Sequence, residues 1–312
     1  MEKVIEVKNL VKKYGSLLAV NKISFSVFKG ETFGLLGENG AGKTTTLEII
    51  ESLRKPTEGE VKVLKHDIVH HPKTIKNKVG VQLQASAYYE YLTLKEILEL
   101  FGSFYPTSLD PIELLEMVGL KEKENSFIRQ LSGGQKQRFS IVASLINDPE
   151  IVFLDEPTTG LDPLARRNLW EIIAQIKNQG KTVILTTHYM EEAEILCDRI
   201  AIMDRGRIIA QDTTEKLIEK AQNPFRIDFT ATNLDNKQLL ELEKIGQLEI
   251  GIGKQKNSYS LNIKTQLGVN KTLAIIHELN LQKVIVEKAK LEDIFIELTG
   301  KRIEDEEGEN KK

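Results

Sequence analysis

Apolar positions along this chain fall into two rhythms, and the switches between them mark out its elements. Val4, Ile5, Val7 and Leu10 alternate with polar residues, as do Ile23, Phe25 and Val27, which predicts two strands with one buried face each. Thr32–Leu36, Ile151–Leu154 and Thr182–Leu185 are instead near-continuous apolar runs, the mark of strands buried on both faces of a parallel sheet. Glu58–Leu64 and Val79–Gln84 read as further strands. Helical spacing takes over at Leu47, Ile49, Ile50 and Leu53. It returns at Leu94, Ile97, Leu98, Phe101, Phe104 and Tyr105, behind a Thr93–Glu96 capping box. Asp110-Pro111 opens another helix that stops at Gly119. Two more follow, over Phe139–Leu145 and over Arg166–Lys177, the latter with an apolar stripe through Leu169, Trp170, Ile172, Ile173 and Ile176. The pattern predicts an α/β domain over residues 1–220, with a helical insertion over about 88–147.

Beyond residue 220 the order changes to β-α-β-β-α-β. Strands are expected at 225–229, 248–252, 259–263 and 283–288, with helices at 236–245 and 269–279 and a short closing helix at 291–298. That order predicts a small ferredoxin-like α+β domain over 221–300. Residues 301–312 carry acids and lysines with little apolar content and are expected to be a disordered tail.

The strongest chemical signal lies where the Thr32–Leu36 strand meets the following helix. Gly37-Glu38-Asn39-Gly40-Ala41-Gly42-Lys43-Thr44 matches G-x-x-x-x-G-K-[ST] at every fixed position, and Thr45 continues it. Glycines let the backbone wrap a polyphosphate, the helix N-terminus faces it, and the Lys43 ammonium neutralises the terminal phosphates. The Thr44 hydroxyl stands where Mg²⁺ would sit. Ile151–Leu154 ends in Asp155-Glu156, so a buried strand delivers two carboxylates to the ligand crevice of a parallel sheet. Asp155 suits Mg²⁺, and Glu156 suits polarising a water for attack on a γ-phosphate. The next buried strand ends at His188, beside the same crevice. Ser132-Gly133-Gly134-Gln135 opens a helix with a hydroxyl and bare amides, a second anion-binding geometry, which suggests that two chains share a nucleotide. His66, Asp67, His70 and His71 lie in a Lys-rich stretch with no cysteine and no helical ligand spacing, and read as a solvated loop rather than a metal site.

Composition narrows the classes. A net charge of −3 gives no basic field of the kind a dedicated nucleic-acid binder carries. One cysteine, Cys197, excludes an intrachain disulfide and suits a reducing compartment. No apolar run approaches the roughly 20 residues a membrane-spanning helix needs, so any membrane role is expected through a partner.

Taken in order, these motifs resemble the nucleotide-binding subunit of an ATP-binding cassette transporter, over roughly residues 1–220. Gly37–Thr44 matches the Walker A motif, Gln84 the Q-loop glutamine, Leu131–Gln135 the signature, Ile151–Glu156 Walker B, Leu161-Asp162 the D-loop and His188 the switch histidine. Tyr14 matches the aromatic that stacks on adenine. The resemblance implies a P-loop cassette with a mixed sheet core and an antiparallel β subdomain. It implies two cassettes closing head to tail over ATP and Mg²⁺. Thr44, Gln84 and Asp155 would serve the metal, Glu156 the attacking water and His188 the γ-phosphate. Ser132, Gly133 and Gly134 would act on the partner's nucleotide, and Asp162 would couple the two sites. Such an ATPase works on the cytoplasmic face of a membrane through an integral permease, with no nucleic acid expected. The C-terminal domain, down to Leu291-Glu292-Asp293-Ile294-Phe295, resembles that of drug- and antibiotic-exporter cassettes. The alternative is a non-transport cassette ATPase acting on ribosomes or DNA. Ribosome-acting relatives usually carry two cassettes per chain, whereas each motif occurs once here. DNA-acting ones insert a long coiled coil where this chain has no sustained heptads.

Overall fold

The computed structural model describes residues 2–82, 88–231, 234–251, 257–279 and 281–300. The chain divides into two compact units, Met1–Thr214 and Glu215–Lys312. In the first unit the chain runs through β1 (Lys3–Tyr14), β2 (Leu17–Phe28), β3 (Thr32–Leu36), α1 (Lys43–Ile50), β4 (Glu58–Val63), β5 (His66–Asp67), α2 (Pro72–Lys76) and β6 (Val79–Gln82). Three helices follow, α3 (Leu94–Gly102), α4 (Pro111–Met117) and α5 (Gly133–Ala143). The unit closes with β7 (Ile151–Asp155), α6 (Pro163–Asn178), β8 (Thr182–Thr187), α7 (Met190–Leu196), β9 (Arg199–Asp204) and β10 (Arg207–Thr213).

Two sheets form. β2-β1-β4-β5 is antiparallel, and β10-β9-β3-β8-β7-β6 is parallel except for its antiparallel edge strand β10. Every residue of β3, β7 and β8 is buried, as continuous apolar runs in the middle of a covered parallel sheet must be. One core joins the inward faces of β1, β2 and β4 to the mixed sheet and α1, with the Phe25 and Phe33 rings stacked 5.3 Å apart between the two sheets. Parallel strands put all their C-terminal ends on one edge, and that edge carries the chemistry.

Some expectations are revised. α1 ends at Ile50 and leaves Leu53 exposed, because Ser52 turns into left-handed backbone. Tyr14 is the last residue of β1. α3 stops at Gly102, so Phe104 and Tyr105 lie beyond it. β5, α2, α7, β9 and β10 carry no pattern strong enough to predict them. Ile252 and residues 301–312 lie outside the described residues.

In the second unit, α8 (Thr214–Glu219) precedes β11 (Phe225–Thr230), α9 (Asn236–Glu243), β12 (Gln247–Ile250), β13 (Ser258–Ile263), α10 (Gln266–Glu278), β14 (Gln282–Lys288) and α11 (Leu291–Thr299). The strands form one antiparallel sheet in the order β12-β13-β11-β14. Its core gathers Ile227, Phe229, Leu261 and Ile263 from the sheet with Leu242, Val269 and Ile276 from α9 and α10.

Candidate active site

The loop between β3 and α1 is built on close approach. A Cβ at Gly37 would fall 2.4 Å from the Met203 carbonyl oxygen. At Gly42, where φ is +101°, a Cβ would fall 2.5 Å from the Ala19 carbonyl oxygen. Only glycine fits either position. The loop thereby delivers Lys43, which is 4 % exposed, into the bend. Lys43 Nζ donates to Gly37 O (2.7 Å) and Glu38 O (3.2 Å) and pairs with Glu156 Oε1 at 3.3 Å. Burial pulls its pKa down, against the pull of Glu156 and Asp155.

Three adjacent strands bring the remaining groups together. Thr44 Oγ1 donates to Asp155 Oδ1 at 3.3 Å, and Thr186 Oγ1 donates to the same oxygen, its residue lying directly across the β7–β8 ladder. Burial raises the Asp155 pKa, while these two hydroxyls lower it. Glu156, one residue beyond β7, has φ +47°, a strained conformation for a non-glycine residue. Its N–H is fixed by Thr186 O (3.2 Å) and Thr186 Oγ1 (3.0 Å). Its carboxylate faces Lys43, His188 Nδ1 (3.4 Å) and the Thr159 hydroxyl (3.2 Å). His188 and, against burial, Lys43 hold its pKa down at about 2. Lys43, Thr44, Asp155, Glu156 and His188 thus meet at one edge of the sheet. Thr186 and Thr159 belong to none of the motifs in the sequence. The one signal for Thr186 was a pair of threonines closing an otherwise apolar strand.

Other predicted residues stand apart from this cluster. Ser132 caps α5: its Oγ accepts from Gln135 N (3.3 Å), and its own N–H donates to Gln135 Oε1 (3.0 Å). Ser132 and Gly133 are exposed, and nothing lies within 4 Å of where a Gly133 Cβ would be. Asp162 caps α6 through the N–H groups of Leu164 (3.0 Å) and Ala165 (2.9 Å). The Tyr14 ring is 38 % exposed, with Lys12 Nζ 5.1 Å and Arg54 Cζ 5.8 Å from its centroid. Asp67 spends its carboxylate on the N–H groups of Val69 and His70 and on the His70 ring. Gln84 lies outside the described residues.

The cradle fits a magnesium nucleotide. Its glycines admit no side chain, its one buried ammonium points into the bend, and Thr44 with Asp155 supplies the hard oxygens Mg²⁺ takes. A phosphate-loop strand and helix, acidic residues at the end of the strand two places along the sheet and a helical insertion define a P-loop nucleoside triphosphatase of the cassette type. Residues 20–159 match the ABC transporter family. The chain is 35% identical over 307 residues to the Nod factor export ATP-binding protein I of Ralstonia nicotianae, spanning 97% of this chain and 95% of that protein. It is 35% identical over 315 residues to the linearmycin resistance ATP-binding protein LnrL of Bacillus subtilis (strain 168), spanning 97% and 100%. Among solved structures, an ATP-binding subunit of an ABC transporter superposes with a TM-score of 0.63 at 33% identity, covering 69% of this chain and 91% of that one. A dimeric cassette in a post-hydrolysis state, bound to ADP and Pi, superposes with a TM-score of 0.62 at 30% identity, covering 67% and 98%. The chain belongs to the ATP-binding subunits of ABC transporters, and it is an ATPase that uses ATP and Mg²⁺. A ribosome- or DNA-acting cassette is not favoured by these matches.

Proposed function

We propose that this chain is the motor of an exporter, two copies closing head to tail on ATP at the cytoplasmic face of a membrane and driving a separate permease. The observation that carries the reading is the meeting of Lys43, Thr44, Asp155, Glu156 and His188 at one sheet edge, while Ser132 and Gly133 stand exposed on another element. A second copy would bring its own exposed Ser132 and Gly133 to this cluster, and the dimeric cassette among the similar structures supports it. The roles for which the similar proteins are named, Nod factor export and linearmycin resistance, favour export. No helix among the described residues is long and apolar enough to cross a membrane.

In this reading Thr44, Asp155 and Gln84 hold Mg²⁺, whose bound charge would offset that developing on the phosphates. Gly37, Glu38, Asn39, Gly40, Ala41, Gly42 and Thr45 wrap the phosphates with backbone and hydroxyl donors, and Tyr14 offers its ring face to the base. Lys43 neutralises phosphate oxygens. In doing so it turns away from Glu156, whose carboxylate then becomes more basic, as a group that accepts a proton from water must. His188 holds the γ-phosphate, and Asp162 sets the start of α6 beside the partner. Ser132, Gly133, Gly134 and Gln135 serve the partner's nucleotide. Tyr88, Tyr89 and Tyr91, the last two exposed, lie at the start of the helical insertion on the side that would face the permease.

The test is an affinity pull-down of tagged chain from detergent-solubilised native membranes, read by mass spectrometry. Recovery of one polytopic membrane protein at near-equal stoichiometry supports the reading, and its identity narrows the cargo. Recovery of ribosomes or DNA-bound factors, with the chain absent from membranes, overturns it.

A further inference from the structure

α7, the helix that follows His188, is seven residues long, and its N-cap residue, Tyr189, makes no side-chain cap. A helix this short is marginal unless tertiary contacts fix it. Two contacts do so. The Tyr189 ring lies 4.2 Å from the His188 ring by centroids and 4.1 Å from Arg166 Cζ on α6. One turn further along α7, Glu192 is fully buried, and its Oε1 accepts from Trp170 Nε1 on α6 at 3.2 Å. Burial raises the pKa of this carboxyl, against the pull of the Thr187 and Thr158 hydroxyls, the Trp170 indole and Arg166. Thr187 is the residue before His188, and its hydroxyl also accepts from Tyr189 N at 2.9 Å. Thr158 lies just past Glu156, in the turn after β7. One buried carboxyl thus gathers α6, the end of β8 and the turn after β7.

A folding core gains nothing from a buried acid. The site does gain from it. The ladders of β8 end at Thr186 on the β7 side and at Thr187 on the β3 side, so His188 stands past the last rung. Its place depends on α7. We propose that Glu192 is a positioning residue: through Trp170, Thr187 and Thr158 it fixes α7 and thereby holds His188 against Glu156 and the γ-phosphate. The His188 Nδ1 to Glu156 Oε2 distance of 3.4 Å is what this anchor maintains. The groups that grip the phosphates, Lys43 and the loop around it, lie on β3 and α1 and make no contact with Glu192. Loosening the anchor therefore costs rate and spares ATP binding.

The inference rests on the reading of His188 as the γ-phosphate group, and the experiment separates the two. ATP turnover of the full chain is measured for wild type, Glu192→Leu, Glu192→Gln and His188→Ala, each at a temperature where it is folded. Glu192→Leu keeps the bulk and removes the acceptor, and should lower kcat by about ten- to a hundredfold with KM for ATP unchanged. Glu192→Gln keeps an acceptor oxygen for Trp170 and should recover most of that loss. The ring nitrogens of the five histidines are also labelled with 15N and followed by NMR, the His188 signals being assigned by their absence from His188→Ala. Those signals should move in Glu192→Leu and stay near their wild-type positions in Glu192→Gln. Where Glu192→Leu does not fold, Trp170→Phe removes the donor instead and should show the same loss of kcat and the same displaced signals. Wild-type kcat in the variant that breaks the bond, a loss confined to KM, unmoved His188 signals, or a Gln variant no better than Leu each overturns the inference alone. A His188→Ala chain with wild-type turnover overturns the reading of His188, and the inference with it.

Discussion

The two units of this chain solve the same folding problem under different obligations. Among the described residues, every buried carboxylic acid, lysine and histidine lies in the first unit: Glu31, Lys43, Glu51, Asp155, His188 and Glu192. Among its described residues the second unit buries only Ser260 and Thr272 as polar side chains, around an aliphatic and aromatic core. Burying charge is expensive, and a folding core has no need of it. At Lys43, Asp155 and His188 the first unit accepts that cost where β3, β7 and β8 end, because phosphate chemistry requires fixed charges shielded from water. Among its described residues the second unit has one antiparallel sheet, capped helices and no such cluster. Its architecture is that of a part that folds, and the first that of a part that also reacts.

The sharpest way to break this contrast is Glu156→Gln. Removing a general base costs about a hundredfold or more in rate. We expect ATP turnover to fall by that much, with ATP still bound and a dimer accumulating on gel filtration. Wild-type turnover would remove Glu156 from the mechanism. In the second unit the matching attack is Phe229→Ala. Phe229 is fully buried and stacked on Tyr259 at 5.5 Å. Its loss should cost about 3–5 kcal/mol, which is most of the stability of a small domain. Calorimetry should show the Glu215–Lys312 unit unfolding at lower temperature while ATP affinity is retained. A parallel loss of ATP affinity would mean that the second unit supports the site and would blunt the distinction.

The sequence made some of this legible and hid the rest, for physical reasons. Buried parallel strands announce themselves as apolar runs, so β3, β7 and β8 and the residues at their ends could be read directly. The phosphate loop could be read because only glycine satisfies the approach of Ala19 and Met203. Thr186 was hidden because its role depends on strand register: it serves Asp155 by lying opposite it in the ladder. Glu51 was hidden because helical spacing marks faces, not what covers them. An acid after Ile49 and Ile50 reads as an ordinary helix end until α3 and β6 close around it. Short elements such as β5 and α7 depend on tertiary contacts and leave no periodic trace.

Glu51 gives the next prediction, smaller and dependent on pH. The ordinary pKa of its carboxyl is 4.5, and burial in the folded chain raises it to about 8. Between those values the folded chain holds a proton that the unfolded chain has lost. Stability is therefore fully supported at low pH and declines as pH rises toward 8, by up to about 1.4 kcal/mol per pH unit, with no further loss above it. Glu51→Gln should remove the decline and be more stable than wild type at pH 8, by chemical denaturation. Identical slopes in the two proteins would sink this account. Among its described residues the second unit offers no buried acid with which to repeat the experiment.

The finest comparison uses one device that both units share. Ser132 and Asp235 each open a helix with a reciprocal capping box, Ser132 with Gln135 and Asp235 with Gln238, the latter at 2.8 and 2.9 Å. As caps they are equivalent, so Ser132→Ala and Asp235→Ala should each cost about 1 kcal/mol of stability. As functional groups they differ. Ser132 stands exposed beside open glycine backbone and, in the proposed dimer, faces the partner's nucleotide. Its loss should lower ATP turnover beyond anything its stability cost explains, while Asp235→Ala should leave turnover at the wild-type rate. Both variants are measured at a temperature where each is fully folded, so that stability drops out. Equal turnover in the two would make Ser132 a cap and nothing more, and the shared-site arrangement would then have to rest on the glycines alone.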